Sequence, residues 1–262
     1  MGGTVVGGAP VWLAAVAAVV CAALASAAAS AAENASFLHV PGGPVLLVLP
    51  ERADRPPPVV VALPDSPGPD RRGRPYLDLL NADGVATVEF VATGDDGAAA
   101  APPLAETLVA LVAALAAEPR VDASRLGVLA FGAAGQAALA EPALAGTPAA
   151  LLYPGCARLS APPENRPLLV LHGGMDRADP PGACAGWAEA APRSVRRHEY
   201  ADATYAWDFS DGPWSDGLAL LPSPGGSGRR VWARADPATT ADAAHRVADF
   251  FLTTLDSTDA AR

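Results

Sequence analysis

Three short segments hold the residue types from which chemistry could be built. The first is Arg125-Leu126-Gly127-Val128-Leu129-Ala130-Phe131-Gly132-Ala133-Ala134-Gly135-Gln136, an apolar run passing through small residues into an alanine-rich stretch. A strand, tight turn and helix in that order suit three devices. A phosphate-cradling loop needs Gly-Lys-Ser/Thr, which is missing. A dinucleotide fingerprint needs G-x-G-x-x-G in the first βα unit with an acid closing the next strand. Here Ala130 replaces the first glycine, the unit is not the first, and the next strand closes on Tyr153-Pro154. The third device is a nucleophile elbow, in which a strained turn presents Ser or Cys at the top of a sheet. The spacing and small flanking residues fit an elbow, with Gly132 at its apex and the Ala133 amide placed as an oxyanion donor.

The other two segments are Pro167-Leu168-Leu169-Val170-Leu171-His172-Gly173-Gly174-Met175-Asp176 and Tyr200-Ala201-Asp202-Ala203-Thr204-Tyr205-Ala206-Trp207-Asp208. The chain has four histidines. His39 is left without a role, His198 and His245 read as structural or exposed, and His172 reads as part of a strand-end turn. His172, Asp176 and Asp179 offer nitrogen and oxygen ligands on one loop. Loop carboxylates more commonly bond their own backbone, so no metal and no cofactor is expected. Asp95-Asp96 reads as a solvated turn.

These segments must be held by an alternation of strands and helices. Ser36–Val40 and Val45–Leu49 form a hairpin about Pro41-Gly42-Gly43-Pro44. Val59–Leu63 is a continuous apolar run, as in a strand covered on both faces. Then come helix Tyr76–Ala82, strand Val85–Phe90, helix Pro103–Ala117, strand Leu126–Ala130 and helix Gly135–Leu144. Strands Ala149–Tyr153 and Pro167–Leu171, helix Gly182–Ala190 and strand Ser194–Tyr200 follow. Residues 201–238 read as irregular, with Trp207, Phe209, Trp214 and Trp232 along them, before a closing helix Thr239–Leu255. The pattern predicts an α/β domain with a mostly parallel sheet and helices on both faces, occupying 33–262. In such sheets ligands bind beyond the carboxyl ends of the strands, where the three segments lie.

Composition narrows the partners. The chain has 262 residues, 51% of them apolar and 18% charged, so it can build a substantial core. A net charge of −10 without a basic stripe argues against nucleic acid and against anionic membrane surfaces. No charged side chain precedes Glu33, and Val11–Ala25 has the length of a signal-peptide core followed by small-residue sites, Ala25-Ser26-Ala27 and Ala29-Ser30-Ala31. Residues 1–32 are therefore expected to be a cleaved signal, with membrane attachment only if the segment stays uncleaved. Export leaves Cys156 and Cys184 in an oxidising compartment, where an even pair of cysteines predicts a disulfide. The alternatives are two separate buried thiols or, with no C-x-x-C spacing, a poor metal cage.

The stretch Arg125–Leu139 resembles the elbow of the dienelactone hydrolase family of α/β-hydrolases, which typically reads Gly-Phe-Cys/Ser-x-Gly-Gly. Pro167–Asp176 resembles that family's acid loop, with Asp176 on the triad acid and Pro180-Pro181 after it. Tyr200–Asp208 resembles its Tyr-Pro-Gly-Ala-x-His-x-Phe/Trp-Asp, with Tyr205 where the histidine belongs. The likeness spans about Val59–Leu255 and implies an α/β-hydrolase fold acting on carboxylic esters or lactones. Three departures bear on that activity. Gly132 has no side chain to form an acyl-enzyme. Tyr205, with a phenol's pKa near 10, is a poor proton shuttle at pH 7. Pro64 after the first parallel strand has no N–H, leaving a second oxyanion donor to Asp65 or Ser66. The expectation is a hydrolase-like protein with little or no esterase activity that binds a small ligand or partner in the inherited cleft. Two other readings are a working hydrolase using water activated by Asp176, and an interaction protein with a collapsed cleft. A further expectation is that Tyr205 reaches into the space left by Gly132 and donates its hydroxyl proton to Asp176.

Overall fold

The computed structural model describes residues 34–41, 43–65, 71–90, 104–161, 164–190, 193–209, 217–225 and 228–260. The expected leader 1–32, Ser66, Asp95-Asp96 and Trp214 lie outside them.

Eight strands form one sheet in the order β1-β2-β4-β3-β5-β6-β7-β8. They are β1 (Ala35–Val40), β2 (Gly43–Val48), β3 (Pro58–Leu63), β4 (Ala86–Phe90), β5 (Asp122–Phe131), β6 (Ala149–Leu152), β7 (Leu168–Gly173) and β8 (Val195–Tyr200). β1 pairs antiparallel with β2, and β2 antiparallel with β4; every other pairing is parallel. The helices are α1 (Arg74–Ala82), α2 (Leu104–Ala116), α3 (Ala134–Ala140), α4 (Ala183–Glu189) and α5 (Pro237–Ala260). The mostly parallel α/β architecture expected from the sequence is the one observed.

The strands are apolar throughout because both faces are covered. Successive side chains point to opposite faces, so each central strand feeds two cores. Val60, Ala62, Leu129, Phe131, Leu152 and Leu171 lie in one core with α1 and α5, through Tyr76, Leu80, Val247 and Phe251. Val59, Val61, Val128, Ala130, Leu151 and Val170 lie in the other with α2, α3 and α4, through Leu108, Leu111, Ala138 and Cys184. Gly127 lets α5 settle on the sheet: a Cβ there would stand 2.6 Å from Phe251 Cε1.

One expectation fails. Residues 201–238 are not irregular throughout, since β9 (Leu218–Pro222) and β10 (Arg230–Arg234) pair antiparallel as a separate ribbon. Its strand β10 alternates exposed Arg230, Trp232 and Arg234 with buried Val231 and Ala233. Ala233 makes a parallel bridge to Tyr205, so the ribbon braces the segment after β8.

Cys156 opens the 3₁₀ turn after β6 and Cys184 lies in α4; they are joined in a disulfide with Cα atoms 5.0 Å apart. The bridge closes a loop with a sequence separation of 28. On the chain-entropy model such a loop stabilises by about 3.6 kcal/mol by restricting the unfolded chain. Replacing both cysteines by serine should lower the unfolding free energy in urea by about 3 kcal/mol. A loss under about 1 kcal/mol would show that the bridge does not constrain the chain in this way.

Candidate active site

β5 runs into the turn at Phe131-Gly132-Ala133, and α3 starts at Ala134. Gly132 has φ +50°, a left-handed conformation that favours glycine. Its N–H donates to the Leu152 carbonyl (2.9 Å), and its carbonyl accepts from Gly135 N–H (3.1 Å), so the turn is fixed on both sides. The local geometry is that of an elbow whose apex carries no side chain.

The apex is nevertheless occupied. Leu63 ends β3, and Asp65 follows two residues later, bringing its carboxylate over Gly132. A Cβ built on Gly132 would lie 2.0 Å from Asp65 Oδ1, 2.3 Å from its Cγ and 2.6 Å from the Tyr205 hydroxyl. Asp65 Oδ1 accepts from the Ala133 N–H at 2.8 Å. Asp65 Oδ2 accepts a short hydrogen bond from the Tyr205 hydroxyl. The Arg72 guanidinium adds an ion pair at 3.5 Å, with the Arg72 and Asp65 side chains 4% and 8% exposed. Three donors thus converge on one carboxylate, and the donors come from segments far apart in the chain.

Tyr205 therefore corrects one expectation. It does reach into the space beside Gly132, but its single proton goes to Asp65 and not to Asp176. Burial and the neighbouring Asp65 push the Tyr205 hydroxyl far above a phenol's ordinary value, so it remains a donor at every physiological pH. It cannot exchange protons as a catalytic histidine does.

A second tyrosine-held carboxylate lies beneath the first. Asp208 accepts from Tyr153 Oη at 2.7 Å and from Tyr76 Oη at 2.8 Å. Burial, and then Asp208 itself, raises both phenols. Tyr153 has φ +42°, rare for an aromatic residue. It is held by ring contacts to Tyr205 and Trp207, each at 5.0 Å between centroids. Arg72 lies over the rings of Tyr153 (5.9 Å) and Phe209 (5.8 Å), which links the two carboxylates. The sequence points to no site role for Arg72, Tyr76 or Tyr153, and to Asp65 only as a backbone oxyanion donor. The available signals were an acid directly after a strand end and arginines in the loop that follows it.

Asp176 is held by its own loop. Its Oδ1 accepts from Ala178 N–H at 2.7 Å, and it lines a cavity of about 160 Å³ with His172, Asp179, Cys184 and Glu199. Burial is the main reason its carboxyl is raised to about 7, with Asp179 adding to the shift. Gly173 and Gly174 press this loop onto the Tyr205 segment: Cβ atoms there would meet the carbonyl oxygens of Ala203 at 2.2 Å and Ala201 at 2.6 Å.

His172 faces β8, with Nε2 2.7 Å from Arg197 Nη1. Burial first, and then Arg197, lower its pKa, so it is a neutral acceptor for the guanidinium. Asp179 accepts from the backbone N–H groups of Cys156 (2.7 Å) and Ala157 (3.0 Å). Asp176 bonds its own loop, as expected, whereas Asp179 bonds the turn after β6 instead. Among the described residues, the donor atoms that gather closely enough for an ion are those of Cys156, Asp179 and Cys184. Both sulfurs are committed to the disulfide.

No protein-family model and no curated protein matches the sequence. Solved structures do match. A putative dienelactone hydrolase from Klebsiella pneumoniae is 18% identical with a TM-score of 0.58, covering 83% of this chain and 98% of that one. A sugar hydrolase from Lactococcus lactis is 11% identical with a TM-score of 0.58, covering 86% and 100%. Esterase 2 of Thermogutta terrifontis, phosphoramylated by tabun, is 14% identical with a TM-score of 0.56, covering 84% and 94%. The fold is that of the α/β-hydrolases, dienelactone-hydrolase-like.

The raised Asp176 carboxyl has a consequence for stability. Its unfolded value is the ordinary one near 3.9, so between about pH 4 and 7 the folded state holds a proton that the unfolded state has lost. This contribution to stability falls as pH rises through that window and is constant above it. Asp176→Asn removes the titration and keeps an acceptor for Ala178. The variant should gain on the wild type between pH 4.5 and pH 8, by no more than about 4 kcal/mol in urea unfolding. An unchanged difference at the two pH values would overturn the assignment.

Proposed function

We propose that this chain is an exported, dienelactone-hydrolase-like protein that has given up ester hydrolysis and uses the old reaction centre to bind a small ligand. The observation that carries the reading is the Asp65 carboxylate on the Ala133 amide, within 2.0 Å of where a nucleophile's Cβ would stand. Acyl transfer needs a nucleophile at the apex and a free donor for the developing oxyanion. Gly132 supplies no nucleophile, and the Ala133 donor is already taken by the Asp65 carboxylate. Tyr205 is locked as a hydrogen-bond donor, so no general base takes the histidine's place. Asp176 is half-protonated near neutral pH and bonded to its own loop, which weakens the alternative of a water-activating hydrolase. Export is supported by the character of residues 1–32 and by the disulfide, and no helix among the described residues is long and apolar enough to cross a membrane.

The test is hydrolysis of short p-nitrophenyl esters and a dienelactone by the wild type and two variants. The wild type should show no burst and no turnover above buffer. In a serine hydrolase, loss of the nucleophile alone costs about 10⁶ in kcat. Gly132→Ser with Tyr205→His should stay silent, because the new side chain meets Asp65. Adding Asp65→Ala vacates the apex, and this triple variant should be labelled by a fluorophosphonate and exceed the wild-type rate at least about tenfold. Wild-type turnover near 1 s⁻¹ or above, within the ordinary enzyme range, would overturn the reading.

A further inference from the structure

The cavity of about 160 Å³ beside Asp176 carries three acids on its walls, Asp176, Asp179 and Glu199. We infer that it is a binding site for a short primary amine, held as the alkylammonium ion with its charge on Asp176 and Asp179 and its stem along Pro180, Pro181 and Ala183. This deepens the proposed function by naming the ligand class and the place where it sits, and it rests on the reading of Asp176 as no longer catalytic.

The charge of the ligand follows from what the walls lack. Asp176 accepts one hydrogen bond, from Ala178 N–H to Oδ1, and Oδ2 has neither a donor nor an ion-pair partner among the described residues. Asp179 accepts from the N–H groups of Cys156 and Ala157, which are neutral, and makes no ion pair among the described residues either. The arginines nearby are committed elsewhere. Arg197 donates to Glu199 at 2.9 Å and stands 2.7 Å from His172 Nε2. Arg229 donates to the carbonyls of Arg177 and Ala178. Two carboxylates thus line one space without a counter-ion, and charge withdrawn from water is stabilised by a partner of opposite sign. An anion would meet three acids there, and a neutral ligand would leave both carboxylates unpaired.

Geometry separates an organic cation from a metal ion. The group of donor atoms that lies within 4.8 Å is that of Cys156, Asp179 and Cys184, with both sulfurs in the disulfide. His172, Asp176 and Asp179 do not close around a point in that way, so a bare ion would find too few ligands. A cavity of roughly 150 Å³ takes up a ring of six heavy atoms, so this one suits an amine of about five or six. Pro180, Pro181 and Ala183 offer apolar wall to its stem.

Binding is linked to protons. Burial raises the Asp176 carboxyl to about 7, and an ammonium group pairs with the carboxylate and not with the acid. Around Asp176 stand Asp179 on its own loop, His172 on β7, Glu199 and Arg197 on β8, Tyr205 after β8 and Arg229 before β10. Tyr205 keeps its proton, the arginines keep their charge, and His172, lowered from its usual value by burial and Arg197, is neutral above pH 6.5. An alkylamine stays protonated to about pH 10, as lysine does. The amine therefore draws a proton off Asp176, and its affinity rises with pH through neutrality.

The experiment is calorimetric titration of the purified wild type with n-butylamine hydrochloride at pH 6.5 and pH 8. n-Butanol and butyrate are the neutral and anionic controls, with sodium chloride matching the ionic strength. n-Butylamine should bind at pH 8 with a Kd below about 10 mM, and about fourfold more weakly at pH 6.5. Asp176→Asn, which keeps an acceptor for Ala178, should weaken binding at pH 8 about fivefold or more and remove the pH dependence. Asp202→Asn, at an exposed acid outside the cavity lining, should bind as the wild type does. A wild-type Kd above about 10 mM, or equal binding of n-butanol or butyrate, would overturn the proposal. So would equal affinity at the two pH values, or an Asp176→Asn variant that binds as the wild type does. Turnover of p-nitrophenyl acetate by the same wild-type samples would sink the non-catalytic reading separately, whatever the amine arms show.

Discussion

The carboxylate of Asp65 is the constraint on which the candidate site depends. It joins the end of β3, the turn after β5 and the segment after β8 at one point, through donors 68 and 140 residues away in sequence. Its charge is matched by Arg72, which is itself sandwiched between aromatic rings. Removing one member of such a cluster takes a hydrogen-bond partner from groups that are themselves buried, the expensive case for polar groups in an interior. Asp65, Tyr205, Arg72 and the absence of a side chain at Gly132 are therefore one arrangement. Alanine at 132 would overlap the carboxylate, and imidazole at 205 is shorter than the phenol that now reaches it.

The scaffold beneath is conventional, which explains why it was readable. Continuous apolar runs such as Val59–Leu63 and Leu168–Leu171 have the character of strands buried on both faces, and small residues at 132–135 allow a sharp strand-to-helix turn. The long apolar stripe through Val247, Phe250, Phe251 and Leu255 required a helix against the sheet, and α5 supplies it. The β9–β10 ribbon was hidden for a local reason. Its strands are only five residues each, and Pro222-Ser223-Pro224-Gly225, from the end of β9 into the turn, has the composition of irregular chain. The alternation in Arg230–Arg234 was present but too short to outweigh that signal.

Within the site, sequence showed what was missing and not what had replaced it. Gly132 and Tyr205 announce their departures by residue type alone. Asp65 was visible only as the residue after a proline, and its backbone N–H was considered where its side chain matters. The choice of Asp176 as partner for Tyr205 failed because proximity in the family pattern does not rank competing acceptors. Asp65 has a cation and a turn amide beside it, whereas Asp176 is turned toward Ala178 and has its charge disfavoured by burial. That ranking is set by long-range contacts, which a single sequence does not encode in any local pattern.

The two acids show how the electrostatics of the elbow have been rearranged. In an acyl-transfer site the negative charge at rest sits on the triad acid, and the turn amide waits for charge that develops on the substrate. Here the Asp65 carboxylate sits on the turn amide, and burial raises the carboxyl of Asp176 toward neutrality. A substrate carbonyl entering this site would find the amide spent and a carboxylate where its own oxygen should go. The hydrogen bonds that tie β3, the turn after β5 and the segment after β8 together at this point are thus the same ones that occupy the turn amide.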